Sequence, residues 1–158
     1  MMDPAAEMLQ ALDGEWFGAG TVQIPGSEPI AFTDEIRFWR RSETSLNYYQ
    51  RALRANGEVS HSEVGVWRLG SPGRLELTIA LAGSTEVAEG EVIDGGLETT
   101  STAVGRATTS TKLIGAKRRY RVSGDTLSYE VDLETVNFAM TFHLRATMDR
   151  RAPHPEAA

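Results

Sequence analysis

The sequence predicts an all-β fold: an antiparallel up-and-down barrel of about ten strands preceded by one short helix. Three observations carry that prediction. Short β-rich runs recur along the 158-residue chain at regular spacing. The separators between them, such as "PGSEP", "ANGE", "GSPGR", "DGG" and "SGD", favour positive φ or tight turns. No helical period returns after Asp13-Gly14.

In chain order, "PAAEMLQAL" (4–12) reads as the helix, with proline near its start and Met8, Leu9 and Leu12 on one face. The expected strands are 14–24, 30–40, 45–54, 61–69, 74–81, 84–93, 96–104, 116–122, 126–133 and 139–148. A single helix beside so many strands suits a barrel plugged at one end, and such a barrel is wide enough to hold one small ligand. The length fits one domain, expected over residues 1–150, and the proline-broken "RAPHPEAA" (151–158) reads as a disordered tail in which His154 is exposed.

Composition narrows the function classes. Net charge is −6, which argues against nucleic acid as a partner, because neutralising phosphates needs a basic face. The basic clusters Lys117-Arg118-Arg119 and Arg150-Arg151 read as solvated strand faces. Apolar runs fall far short of the roughly eighteen residues of a membrane span, and the N-terminus lacks the pattern of a secretory signal. The absence of cysteine excludes disulfides, thiolate zinc sites and a thiol nucleophile, and a cytoplasmic protein is the simplest expectation.

Catalytic constellations are sparse. No nucleophile elbow appears. Asp34 and Glu35 are adjacent on a strand and therefore face opposite sides, and Glu89 with Glu91 reads as a charged outer face. His61 and Glu63 share a face, which suggests a hydrogen-bonded pair rather than a metal site of three or four ligands. In "MTFHLRATM", alternation sets Phe142, Leu144, Ala146 and Met148 on one face and His143, Arg145 and Thr147 on the other. Alternation does not say which face is inside. The residues alone therefore leave His143 open as either a solvated histidine or a ligand. Trp16, Trp39, Trp67 and the pair Tyr48-Tyr49 could fill much of a small barrel.

"LDGEWFGAGTVQIPG" resembles the segment that opens nitrobindins, haem-binding barrels related in fold to fatty-acid-binding proteins and lipocalins; Gly14, Trp16, Gly18 and Gly20 carry the match. The resemblance runs on through "LNYYQRAL", "HSEVGVWRL", "STEVAEGEV", "STAVGRATTSTK", "RRYRVSGDTLSYEVDL" and "HLRATM". It implies one haem b per chain, held near one mouth, with His143 as the axial iron ligand and Lys112 beside a propionate. It implies nitric oxide and peroxynitrite as small-molecule ligands, isomerisation of peroxynitrite to nitrate as the activity, and a homodimer as one assembly open to the chain. The stretch Val22-Gln23-Ile24-Pro25-Gly26-Ser27 departs from the family pattern, which has threonine on the haem side where Gly26 stands, and the run before His143 is more apolar. That departure favours an alternative, a carrier of a small apolar ligand in the same barrel without haem.

Overall fold

The computed structural model describes residues 1–151. Helix α1 (Pro4–Leu12) starts where the Asp3 side chain accepts the Ala5 N–H at 2.7 Å and Pro4 supplies a preset φ. It buries Ala5, Met8, Leu9 and Leu12, the 3.6-residue face visible in the sequence.

Ten strands follow: β1 (Gly14–Val22), β2 (Ile30–Ser42), β3 (Ser45–Leu53), β4 (Val59–Leu69), β5 (Arg74–Leu81), β6 (Ser84–Ile93), β7 (Gly96–Arg106), β8 (Leu113–Ser123), β9 (Thr126–Thr135) and β10 (Phe138–Arg150). Each pairs antiparallel with its sequence neighbours, and β1 closes on β10 from Trp16↔Arg150 to Val22↔Leu144. The expected all-β barrel and its one helix are thus observed, with strand ends differing by a few residues from those read off the sequence. Gly20 shows why β1 is glycine-rich. A Cβ there would lie 2.1 Å from the Arg145 carbonyl oxygen and 2.8 Å from the Phe32 ring, so β10 closes on β1 only without one.

Inner faces carry the alternating apolar residues, and in the closed half they are filled. Phe38, Tyr48, Trp67, Tyr120 and Tyr129 form a connected set of rings with neighbouring centroids 4.8–5.4 Å apart, among Ile36, Leu46, Leu75, Leu77 and Ile79. Of the aromatics expected to fill the barrel, Trp16, Tyr48 and Trp67 do so. Trp39 is exposed and Tyr49 half-buried, because the pleat turns odd positions of β2 and β3 outward.

Helix α1 stands at the end where β10 finishes. Arg150 locks it there: its guanidinium donates to the carbonyls of Ala11 and Asp13, both at 2.7 Å, and lies 4.3 Å over the Trp16 ring. Trp16 in turn donates its indole N–H to the Leu12 carbonyl at 2.9 Å, and Asp3 accepts the Gly73 N–H. Arg150 was expected to be merely solvated. Its partners are instead the orphan carbonyls at the helix C-terminus, which a cation satisfies.

The opposite end is bordered by the β1–β2, β3–β4, β5–β6, β7–β8 and β9–β10 connections. One ladder is incomplete there. β7 and β8 pair only from Gly96↔Arg121 to Thr100↔Lys117, and beyond that point Ser101 Oγ accepts the Ala116 N–H at 2.8 Å. The parted upper strands flank a side recess of about 260 Å³ lined by Ser101, Val104, Arg106, Leu113 and Ile114. No helix among the described residues is long and apolar enough to cross a membrane.

Arg150→Ala is expected to lower stability by about 3 kcal/mol or more, from two lost charged hydrogen bonds to helix carbonyls and one cation–π contact, with the exposed Asp125 pair adding little. Urea denaturation followed by tryptophan fluorescence checks this, and an unchanged midpoint contradicts it.

Candidate functional site

Where His143 sits depends on a local break in β10. Phe142 pairs with Asp132 and Leu144 with the next residue, Val131, so His143 is an extra residue in the ladder, a β-bulge. Asp132 belongs to the outer face, where it binds Arg119 at 3.0 Å, and Arg145 stacks over Phe142. Phe142 is therefore outward while Leu144 packs inward on the core. The expected sharing of one face by Phe142 and Leu144 is overturned, because the bulge resets the alternation between them.

The His143 ring is half-buried at the open end. Burial lowers its pKa below the ordinary value, a hydrogen bond toward the Gln23 backbone opposes that, and His61 lowers it further. Burial thus favours the neutral imidazole, whose lone pair can act as a ligand. The backbone ties the same place together, since Gln23 N–H donates to the His143 carbonyl at 2.6 Å.

Gly26 lies in the β1–β2 connection that Gln23 begins. The Gln23 side chain donates to the Ser27 carbonyl at 2.8 Å, and Ser27 N–H to the Ile24 carbonyl at 3.0 Å. Gly26 takes φ +82°, and nothing lies within 4 Å of where its Cβ would be. Its positive φ serves the turn. Lys112 ends the β7–β8 connection with an exposed side chain, and its carbonyl accepts the Val136 N–H at 2.9 Å. All three positions therefore lie at one end, with His143 and the Gly26 loop joined through Gln23 and Lys112 across β9.

Beneath this mouth lies a polar layer on the inner faces. His61 Nε2 meets Glu63 Oε2 at 2.9 Å, the pairing the sequence suggested. Glu63 Oε1 accepts the Tyr48 hydroxyl at 2.7 Å and Arg118 Nη1 at 3.0 Å. Arg118 Nη2 reaches Glu86 Oε1 at 2.8 Å, and Glu86 Oε2 accepts Ser101 Oγ at 2.5 Å. Burial alone would raise the Glu63 carboxyl, but Arg118, His61 and Tyr48 outweigh it and hold the value at about 2. Glu63 is therefore a permanent anion, and His61 donates to it from Nε2.

Beside this chain stands Asp34, fully buried and without a cation. It accepts the Tyr129 hydroxyl and the Gln50 side-chain amide at 3.1 Å, while that amide also donates to Tyr129 at 2.8 Å. Burial pushes the Asp34 carboxyl up to about 6, against the lowering by those two hydrogen bonds. Asp34 and Glu35 do face opposite sides, Glu35 binding Arg51 at 2.6 Å outside.

Arg118 corrects the reading of its basic cluster as a solvated face, because it is buried between two carboxylates while Lys117 and Arg119 point outward. Its signal was available: Ala116, Arg118, Tyr120 and Val122 share a face, and three of the four are apolar or aromatic. The same test applied to Phe32-x-Asp34-x-Ile36-x-Phe38 would have found Asp34. A larger recess, about 870 Å³, lies on the outer wall of β6–β10. There Arg74 is paired with Glu91 and Arg119 with Glu130, while Arg145 rests over the Phe142 ring.

A histidine-ligated haem needs an unprotonated imidazole and apolar walls, and this end places both together. His143 is neutral, Phe32 is nearly buried, and Val22, Leu81, Leu133 and Leu144 are partly buried inward. Ile24, Ile30, Val59, Ile114, Val136 and Phe138 leave the surrounding connections and strand ends apolar and exposed.

Comparison with known proteins agrees. A family model described as a THAP4-like, heme-binding beta-barrel domain matches residues 5–150. A peroxynitrite isomerase of Nocardia farcinica is 36% identical over 155 residues, covering 94% of this chain and 92% of that protein. Peroxynitrite isomerase 2 of Mycobacterium avium is 32% identical over 156 residues, covering 95% and 97%. The crystal structure of Rv2717c from M. tuberculosis superposes with a TM-score of 0.84 at 30% identity, covering 96% of this chain and all of that one. A phycobiliprotein lyase from Guillardia theta shares the fold alone, with a TM-score of 0.68 at 13% identity.

The folded state holds the Asp34 proton more tightly than the unfolded chain, whose ordinary value is 3.8. The buried carboxyl costs nothing below that pH, and above about 6 it costs up to about 3 kcal/mol. Asp34→Asn should therefore gain stability on wild type as pH rises from 4 to 6 and hold that gain above 6, read by urea denaturation at each pH. Parallel stability curves would contradict this.

Proposed function

The chain belongs to the THAP4-like haem-binding β-barrel family, and on that footing we propose that it holds one haem b at the open end of the barrel and isomerises peroxynitrite to nitrate. The observation that carries this reading is the neutral, half-buried His143, set by a β-bulge among inward apolar side chains. The relatives named peroxynitrite isomerase support the reaction.

When bound, the haem supplies a ferric iron that acts as a Lewis acid on peroxynitrite and, in a second ligand role, binds nitric oxide. The chain does the rest. His143 would hold the iron through a ring nitrogen, and the Gln23 N–H bond to the His143 carbonyl fixes the backbone that carries that ring. Phe32, Val22, Leu133 and Leu144 exclude water from the macrocycle. The polar layer of Asp34, Gln50, Tyr129 and Glu63 bars deeper entry, because burying an apolar face there would strand its hydrogen-bonding groups. Lys112, exposed at the rim, would pair with a propionate, a contact open to solvent and worth little affinity. Gly26 shapes the rim loop and, with no side chain, leaves open space beside a haem seated there. Small anionic and neutral ligands reach the site from solvent in an aqueous, cytoplasmic setting, with no need of a membrane or nucleic acid.

A non-haem carrier of an apolar molecule is favoured by one feature, the exposed apolar residues Ile24, Val136, Phe138 and Met140 around the mouth. Hemin titration separates the two. The haem reading predicts a saturable one-to-one Soret shift, its loss in His143→Ala, and faster peroxynitrite decay with the loaded protein. Equal responses from wild type and His143→Ala would refute it.

A further inference from the structure

The ring set below the mouth holds three of the chain's four tyrosines, and their hydroxyls meet different partners. Tyr48 donates to Glu63, Tyr129 donates to Asp34, and the Tyr120 hydroxyl has no hydrogen-bond partner. A buried phenol gives up an electron readily only if its proton can leave at the same moment, since a buried phenol radical cation would be an unpaired charge in a low-dielectric site. Tyr120 has no base. The base of Tyr48 is Glu63, already committed to Arg118 and His61 and held as an anion at about 2. Asp34, by contrast, hydrogen-bonds only the neutral Gln50 and Tyr129 and forms no ion pair among the described residues, while the Glu63 anion nearby favours its taking a proton. It is the one carboxylate of the layer with affinity to spare for a proton.

We infer that Tyr129 is a redox-active tyrosine: a one-electron oxidant at the mouth takes an electron from its ring while its hydroxyl proton passes along the existing hydrogen bond to Asp34. With nitrogen dioxide radical as the oxidant, the Tyr129 O–H bond breaks and an O–H bond forms on Asp34 Oδ2. Nitrogen dioxide leaves as nitrite and Tyr129 remains as a neutral phenoxyl radical, so atoms and charge balance. Position supports the role. Tyr129 pairs with Ala146, one inward residue below Leu144, so it is the ring of the set lying nearest beneath the mouth on β9–β10. Its ring stacks on Tyr120 at 5.4 Å, Tyr120 meets Trp67 at 4.8 Å, and Trp67 meets Tyr48 at 5.3 Å. An electron hole formed on any of these drains to the one phenol that has a free base. Tyr129 with Asp34 thereby spares the packed core from oxidants that escape productive turnover. The inference does not require haem, because any one-electron oxidant admitted to the mouth suffices.

The test uses the purified chain without hemin, illuminated with ruthenium tris-bipyridine and persulfate, frozen, and read by electron paramagnetic resonance. A persistent tyrosyl signal is expected in wild type and Tyr48→Phe, lost in Tyr129→Phe and short-lived in Asp34→Asn, with circular dichroism confirming that each variant folds. A wild type with no signal, a Tyr129→Phe that keeps it, or an Asp34→Asn that matches wild type would overturn the inference. In wild type alone, added nitrogen dioxide should nitrate Tyr129 in preference to Tyr48 and Tyr120 by peptide mass, and nitration of Tyr48 or Tyr120 instead would count against it. A second arm with hemin and peroxynitrite reports on the haem reading separately, since failure there leaves the hemin-free result standing.

Discussion

Arg118 spans the inside of the barrel between Glu63 on β4 and Glu86 on β6, and the division of the molecule into a packed half and an open half depends on it. A guanidinium with no exposed surface to speak of is tolerable only when both its forks are paired, and here each fork meets a different strand. Remove the cation and two buried carboxylates lose their counter-charge, at a cost of roughly 3–5 kcal/mol. Its position also fixes Glu63 as an anion, which orients His61 and accepts the Tyr48 hydroxyl hydrogen bond. The layer so formed separates the aromatic core and its helix plug from the mouth in which His143 stands.

Two kinds of buried acid result from this arrangement, and the difference is one of partners rather than depth. Glu63 and Asp34 are equally removed from water, yet Glu63 has an arginine and Asp34 has only neutral donors. The first is held at about 2 and the second pushed up to about 6. Coulombic pairing therefore beats desolvation at one site and loses at the other, within one polar layer. A barrel whose task were only to fold would gain by replacing this layer with apolar side chains. Its polarity suits a floor that bounds the mouth without being invaded by an apolar ligand.

Much of the fold was legible because strands and turns write short-range patterns. Val87-x-Glu89-x-Glu91 faces out and Glu86-x-Ala88-x-Gly90-x-Val92 faces in, as a period of two requires. Arg118 was misread because its neighbours Lys117 and Arg119 made a basic run look like one feature, when alternation assigns the middle residue to the other side. The bulge at His143 left no such mark. "TFHLRA" contains neither glycine nor proline, and the extra residue is dictated by how β10 must meet both β9 and β1. The same holds for Arg150, whose role depends on a helix end 137 residues earlier in the chain. His154, read as part of an exposed tail, lies outside the described residues, while Arg151 is still bound through its N–H to the Glu15 carbonyl at 2.8 Å.

The most direct test of this division into floor and mouth is a crystal structure of the protein with hemin bound. The account predicts the iron on His143, the macrocycle above Tyr129 and Asp34, and the Arg118 ion pairs to Glu63 and Glu86 unmoved. A macrocycle seated elsewhere, or one that enters the lower barrel by breaking the Tyr129–Asp34–Gln50 contacts, would contradict it.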